Sequence, residues 1–192
     1  LRLEVIDYLL KPDNIDELMN TVRKVAESIR GEAAIGRDEK ALWLSRVLHQ
    51  EQVTQAPPQQ IYGNSFKMLV SQLENYVEHF AEMSTESYRI VQQNWIHLVR
   101  ESLTTHGLRC VSVFDHKNLL YTLVMTDQSH DALEWKSWLQ KLNNDWKDPS
   151  KLCLGLSREI EDVAQIAEAG SEALKLLQHH VIEDQTVFIS EM

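Results

Sequence analysis

The sequence predicts an α/β chain of the α+β kind. A ferredoxin-like β-α-β-β-α-β-α-β domain covers residues 61–192, and a strand-helix piece and a helical connector precede it. Three observations carry this reading. Short apolar runs with strand character alternate, beyond residue 61, with longer stretches whose apolar residues recur every three or four positions. Two of the short runs, 109–114 and 119–125, are adjacent and separated only by the polar turn Asp115-His116-Lys117-Asn118, which reads as a central hairpin. The stretch Gln55-Ala56-Pro57-Pro58-Gln59-Gln60 interrupts every periodicity and marks a linker, because consecutive prolines disfavour helix before them. Helices packed on a mostly antiparallel sheet follow from that order.

Taken in order, Tyr8-Leu9-Leu10 reads as the end of a buried strand, and Pro12-Asp13-Asn14 stops it and offers a helix cap. Ile15, Leu18, Met19, Val22, Val25, Ala26 and Ile29 form one apolar helical face. A second helix is expected over 38–52, with Leu44, Val47, Leu48 and Glu51 on neighbouring turns. Beyond the linker, 66–73 is a strand with Phe66, Met68 and Val70 on one side. Ser84 or Thr85 caps a helix reaching Leu103, striped by Ile90, Val91, Trp95, Leu98, Val99 and Ser102, and Gly107 ends it. A helix over 129–146 is buried through Leu133, Trp135, Trp138, Leu139 and Leu142. Residues 152–156 form a strand, 159–169 and 171–180 are helical, and 186–190 is a closing strand.

Composition limits the function classes. The 192 residues are 43% hydrophobic and 25% charged, an ordinary folded composition without low-complexity tracts. No apolar run approaches the roughly 18 residues of a membrane span, so no membrane partner is expected. Lys and Arg number 19 against 29 Asp and Glu, a net charge of −10, which offers no basic field for DNA. Two cysteines, Cys110 and Cys153, make neither a disulfide framework nor a four-ligand zinc site, and a cytoplasmic setting follows. The chain opens at Leu1 almost directly on a strand, the expected start of a piece of a longer protein.

Two segments resemble known families. Asp7-Tyr8-Leu9-Leu10-Lys11-Pro12 resembles the last strand and following loop of response-regulator receiver domains. The resemblance covers residues 1–30 and implies that Lys11 is the phosphate-sensing lysine, Tyr8 the switch aromatic and Pro12 the proline of a Lys-Pro bond that is typically cis in that family. The phosphate-accepting partners would lie upstream of Leu1. Beyond the linker, the 66–76 strand, the long helix, the 109–125 hairpin, Leu152-Cys153-Leu154-Gly155-Leu156-Ser157 and the 167–174 helix look like a degenerate diguanylate-cyclase (GGDEF-like) fold. In that order they are similar to YesN-like, AraC-type two-component response regulators. The resemblance implies three parts: the receiver's end over 1–30, a connector and linker over 31–60, and a GGDEF-like middle domain over 61–192.

What it implies for function is a signal-transducing fragment of a transcription regulator, without enzymatic activity. Homodimerisation, a sensor histidine kinase acting through the full receiver, and DNA bound only by a C-terminal domain beyond this chain are the implied partners. A nucleotide- or small-ligand-binding sensor, or an active nucleotide cyclase, is the alternative. Cyclase chemistry needs carboxylates that hold a divalent ion and hairpin glycines that admit nucleotide. Gln72 stands where the first-strand acid would be, and the turn Asp115-His116-Lys117-Asn118 has no paired glycines. Glu74 and Asp115 remain as acids, and no metal or cofactor is expected. His179 and His180 are adjacent on a helix, so they point about 100° apart and share no ion easily. Ser157 lacks the flanking glycines of a nucleophile elbow, His97 sits at a polar helix position, and five tryptophans (43, 95, 135, 138 and 146) fall mostly at core positions.

Overall fold

The computed structural model describes residues 39–49, 57–59, 61–74, 83–115, 118–127, 132–183 and 186–190. The chain divides into two compact units, Leu1–Glu39 and Lys40–Met192. All described residues except Glu39 belong to the second. The strand and helix expected before residue 38, with Tyr8, Lys11 and Pro12, lie outside the described residues.

The elements are α1 (Glu39–Leu48), β1 (Ser65–Leu73), α2 (Thr85–Thr105), β2 (Arg109–Asp115), β3 (Leu119–Thr126), α3 (Ala132–Asp145), β4 (Leu152–Leu156), a 3-10 turn (Val163–Gln165), α4 (Ile166–Glu183) and β5 (Val187–Ile189). The expected β-α-β-β-α-β-α-β order is therefore present, and helix α1 falls inside the expected 38–52 stretch. The strands form one sheet in the order β2-β3-β1-β4-β5. Its β2–β3, β3–β1 and β1–β4 pairs are antiparallel, and β4–β5 is parallel. A parallel pair needs a long crossover, and α4 supplies it.

Strand β1 is apolar on both sides, and the helices divide accordingly. Phe66, Met68 and Val70 share a core with Ala41, Trp43 and Leu44 of α1 and with Ile166, Ala169, Ala173 and Leu177 of α4. Leu69 and Leu73 share the other core with Val91, Trp95, Val99 and Leu103 of α2 and with Trp135, Trp138, Leu139 and Leu142 of α3. Period-two alternation sends successive side chains to opposite layers. The result is a sheet covered on both faces.

Local signals set the ends of α2. Ser84 is its N-cap, and its hydroxyl accepts the Ser87 N–H at 3.1 Å. Gly107 sits at φ 73°, the Gly107 N–H donates to Thr104 O at 2.9 Å, and the Leu108 N–H donates to Leu103 O at 3.1 Å. This is the Schellman pattern, and its left-handed residue is cheapest as glycine. The buried line runs Val91, Trp95, Val99 and Leu103, so Ile90, expected in the stripe, lies off it and is exposed.

The expected pair of helices around residue 170 is corrected. Residues 159–162 are not helical, because the Ile160 and Phe66 backbones pair in both directions at 2.7 and 2.9 Å. Helix α4 instead starts at Ile166 and runs through Gly170. A Cβ at Gly170 would come within 2.8 Å of the Leu48 Cδ2 on α1, so this glycine serves close packing and not a break. Gly155 does the same on β4, where a Cβ would run into the backbone carbonyl of Ala173. A helix carbonyl cannot yield as a side-chain end can. Gly155→Ala should therefore lower unfolding stability by about 1–3 kcal/mol, the usual cost of overpacking, read from the denaturant midpoint; a midpoint equal to that of the parent would contradict the packing.

Candidate functional site

The antiparallel register gathers the sequence-selected polar residues at one end of the sheet. Gln72 pairs with Leu119 of β3 and with Cys153 of β4. Asp115 pairs with the same Leu119 from the other side. The end of β1, the β2–β3 turn and the start of β4 therefore meet, bringing Gln72, Glu74, Asp115 and Asn118 together. His116 and Lys117 lie outside the described residues.

Asn118 closes this end. Its side-chain Oδ1 accepts the Leu73 N–H at 3.2 Å, and its Nδ2 donates to Leu73 O at 3.0 Å. An amide with both a donor and an acceptor copies a backbone pair and extends the β1–β3 ladder by one rung. Beyond it, the Glu74 N–H donates to Lys151 O at 2.8 Å, and the Glu74 carboxylate faces the Lys151 ammonium at 3.5 Å. Asp115 faces His49, just past the end of α1, at 3.5 Å. Both acids are shielded, at 25% and 20% side-chain exposure, while Lys151 and His49 remain near half-exposed at 57% and 48%.

Neighbouring ionisable groups respond to this end. Burial pushes the Cys153 thiol up to about 11; the Glu74 charge adds to the rise and Lys151 opposes it. Burial first, and then the Asp115 charge, raises the Tyr121 hydroxyl. Cys110, the second residue of β2 at one edge of the sheet, is also raised by burial, against a pull from Arg100. Both thiols are thus held in the neutral, unreactive form.

Sequence reasoning missed Lys151 and His49. The signal for Lys151 was its place just ahead of an antiparallel β4, whose start must lie beside the end of β1. Nothing local pointed to His49. The other weighed residues have structural partners: Ser157 is buried, its Oγ accepting the Met68 N–H at 2.9 Å and donating to Arg158 O at 2.8 Å. His97 is exposed and pairs with Glu101 at 3.2 Å. Trp43, Trp95, Trp135 and Trp138 are buried, and the Trp146 indole donates to Ser150 O at 2.8 Å. The side chains of Leu133, His179 and His180 lie outside the described residues. No described helix is long and apolar enough to cross a membrane.

No family model matches the chain, and no curated protein matches it. Solved structures do. The GGDEF domain of FimX from Pseudomonas aeruginosa superposes with a TM-score of 0.51 at 11% identity, covering 77% of this chain and 88% of that one. The diguanylate cyclase SiaD of Pseudomonas aeruginosa, in complex with its activator SiaC, gives 0.54 at 11% identity over 91% of this chain and 68% of that one. The active GGEEF domain of a diguanylate cyclase from Vibrio cholerae gives 0.54 at 8% identity over 81% and 96%. The fold is therefore that of GGDEF domains.

These likenesses correct the regulator reading. The neighbours are GGDEF and diguanylate cyclase domains, and none is a response regulator or an AraC-type protein. The assignment to YesN-like regulators, the transcriptional role and the exclusion of enzymatic activity are overturned with it, and the kinase and DNA partners are left without support. The physical reason is that the order of weak motifs beyond the linker carried that assignment, and that order is a property of the GGDEF fold itself. The receiver and connector parts of the expected architecture are not supported by the matches.

Two outcomes test the geometry. Asn118→Ala removes both hydrogen bonds to Leu73 and should cost about 1–3 kcal/mol of stability by denaturant unfolding; a loss below a few tenths would show the clamp to be idle. At pH 9, iodoacetamide should label Cys153 in the unfolded chain and leave it unmodified in the folded one. Rapid labelling of native Cys153, read by mass spectrometry, would refute the raised thiol.

Proposed function

We propose that the Lys40–Met192 unit is a nucleotide-binding domain of the diguanylate-cyclase fold, with its nucleotide site at the Gln72–Asp115 end of the sheet. The observation that carries the reading is the likeness to solved diguanylate cyclase domains over most of the described fold. The convergence of Gln72, Glu74, Asp115, Asn118 and Lys151 at one sheet end supports it.

The fold family implies a divalent ion, and these donors do not fit one. Gln72 brings an uncharged amide, Glu74 already faces Lys151, and Asp115 faces His49. Among the described residues no three His, Cys, Asp or Glu side chains converge to hold a metal. The nucleotide is therefore held by protein groups. Lys151 meets the phosphates, giving up Glu74 as a charge partner, and the shielded acids set the sign and reach of the site by repelling a misplaced phosphate. Asp115 and Asn118 frame it. A protein partner also accords with the SiaD neighbour, which is in complex with its activator.

Calorimetric titration of GTP and of ATP tests this. Saturable binding is expected, unchanged by EDTA, and weakened about tenfold by Lys151→Gln, the equivalent of about 1.4 kcal/mol. Chromatography of the same mixtures reads cyclic dinucleotide, whose appearance extends the binding site to a catalytic one. Absence of binding by any nucleotide, with or without magnesium, refutes the reading.

A further inference from the structure

A cavity of about 530 Å³ lies at the opposite end of the sheet, lined by His106, Leu108, Trp135, Trp138 and, along its rim, Glu134, Ser137 and Lys141. It is framed by the C-terminal cap of α2, the start of β2 and one face of α3. Strand β2, Arg109–Asp115, runs from this end to the Asp115 turn, about 20 Å at roughly 3.3 Å per residue. The two sites are separate.

Its aromatic wall is fixed in place before any ligand arrives. Ser102 holds two of the rings: its hydroxyl accepts the Trp138 indole N–H at 2.8 Å, and its carbonyl lies 2.8 Å from His106 Nδ1. Trp138 meets His106 edge-on at 6.0 Å and Trp135 edge-on at 5.4 Å. Behind Trp135, the Lys67 ammonium lies 5.9 Å from the ring centroid. Rings locked in this way lose little freedom on binding, and the volume suits a small molecule.

The rim supplies the chemistry. Glu134, Ser137 and Lys141 are spaced i, i+3, i+7 on α3 and so share one helix face. All three are exposed, and the two charges are opposite in sign. Their backbones stand about 10 Å apart at 1.5 Å per residue.

We propose that this cavity is a second binding site, for a planar aromatic molecule with an amino or other donor group at one end and an anionic group at the other. The aromatic body lies against Trp138 and His106, the donor end meets Glu134, and the anionic end meets Lys141. The site stands independently of the nucleotide reading, because it uses none of the residues at the hairpin end.

Three fluorescent probes test it: 6-amino-2-naphthoate, which carries both end groups; 2-naphthoate, which lacks the amine; and 2-naphthylamine, which lacks the acid. Saturable binding of the first is expected, several-fold tighter than of either truncated probe. Lys141→Gln should abolish its advantage over 2-naphthylamine, and Glu134→Gln its advantage over 2-naphthoate. Lys136→Gln, an exposed change on the same helix away from the cavity, should leave all three affinities unchanged. Because every altered residue is exposed, a thermal melt equal to the parent's is expected and certifies folding. Equal affinities for the three probes, equal losses in the Lys136 and Lys141 variants, or no binding would each overturn the proposal.

Discussion

Strand β1 has no solvent face, and the rest of the fold is arranged to satisfy that. Of its nine residues only Gln72 is not buried. Apolar side chains on both sides require a helical layer on both sides, so α1 with α4 and α2 with α3 are consequences of one strand. The buried polar positions on β1 need partners as well, since an unpaired polar group would cost about 1–3 kcal/mol. Ser71 accepts the Trp95 indole N–H at 3.0 Å and donates to Leu120 O at 3.4 Å. Lys67 reaches Ser157 O at 3.5 Å and Trp135; burial lowers its pKa, against the opposing charges of Glu159 and Glu172. Buried tryptophans are therefore not only filler: two of them face the polar side chains of the central strand.

That one non-buried position lies at the end where the polar residues converge. A central strand can present chemistry only where its covering layers stop, which is at its ends. At the C-terminal end of β1 the flanking strands bring Asp115 and Asn118 from the β2–β3 connection and Lys151 from the one that leads into β4. At the other end the layers part between α2 and α3, leaving the Trp-lined cavity. One strand thus separates two candidate sites about 20 Å apart.

Much of this was legible in the sequence, and the failures have particular causes. Period two against period 3.6 located the strands beyond residue 61 and the helices ahead of β4, and Ser84 and Gly107 set the ends of α2 through purely local chemistry. The start of α4 was not legible, because Ile160 is held extended by Phe66, nearly a hundred positions earlier. Gly170 looked like a break because its reason for being glycine is Leu48 on another helix. At the candidate site, Gln72 was visible as a departure from a resemblance, and Glu74 and Asp115 as the acids that remained beside it. Asn118 was visible only as a turn former, although its side chain extends the ladder. Lys151 and His49 reach the site through tertiary register, which no local pattern encodes. The regulator reading failed at another level: element order identifies a fold, and several functions share one fold.

The contact between α1 and the turn bears on how the hairpin end would respond to its surroundings. Trp43 and Leu44 anchor α1 in the core shared with α4, Leu48 fits the space that Gly170 leaves open, and His49 follows directly to face Asp115. Displacing α1 would therefore disturb a packed contact and an acid of the turn together. The charge in that acid also acts on Tyr121, whose ring lies beside Gly170, so the turn and α4 are linked through the same few side chains. Coupling of this kind acquires direction only when a ligand binds two arrangements of α1 with different affinity. On the proposed reading, a phosphate-bearing ligand would exert such a preference at the hairpin end, because drawing Lys151 away from Glu74 changes the charge balance around a shielded carboxylate. On that reading the balance of those charges, more than any single residue of the turn, sets what this end of the sheet can hold.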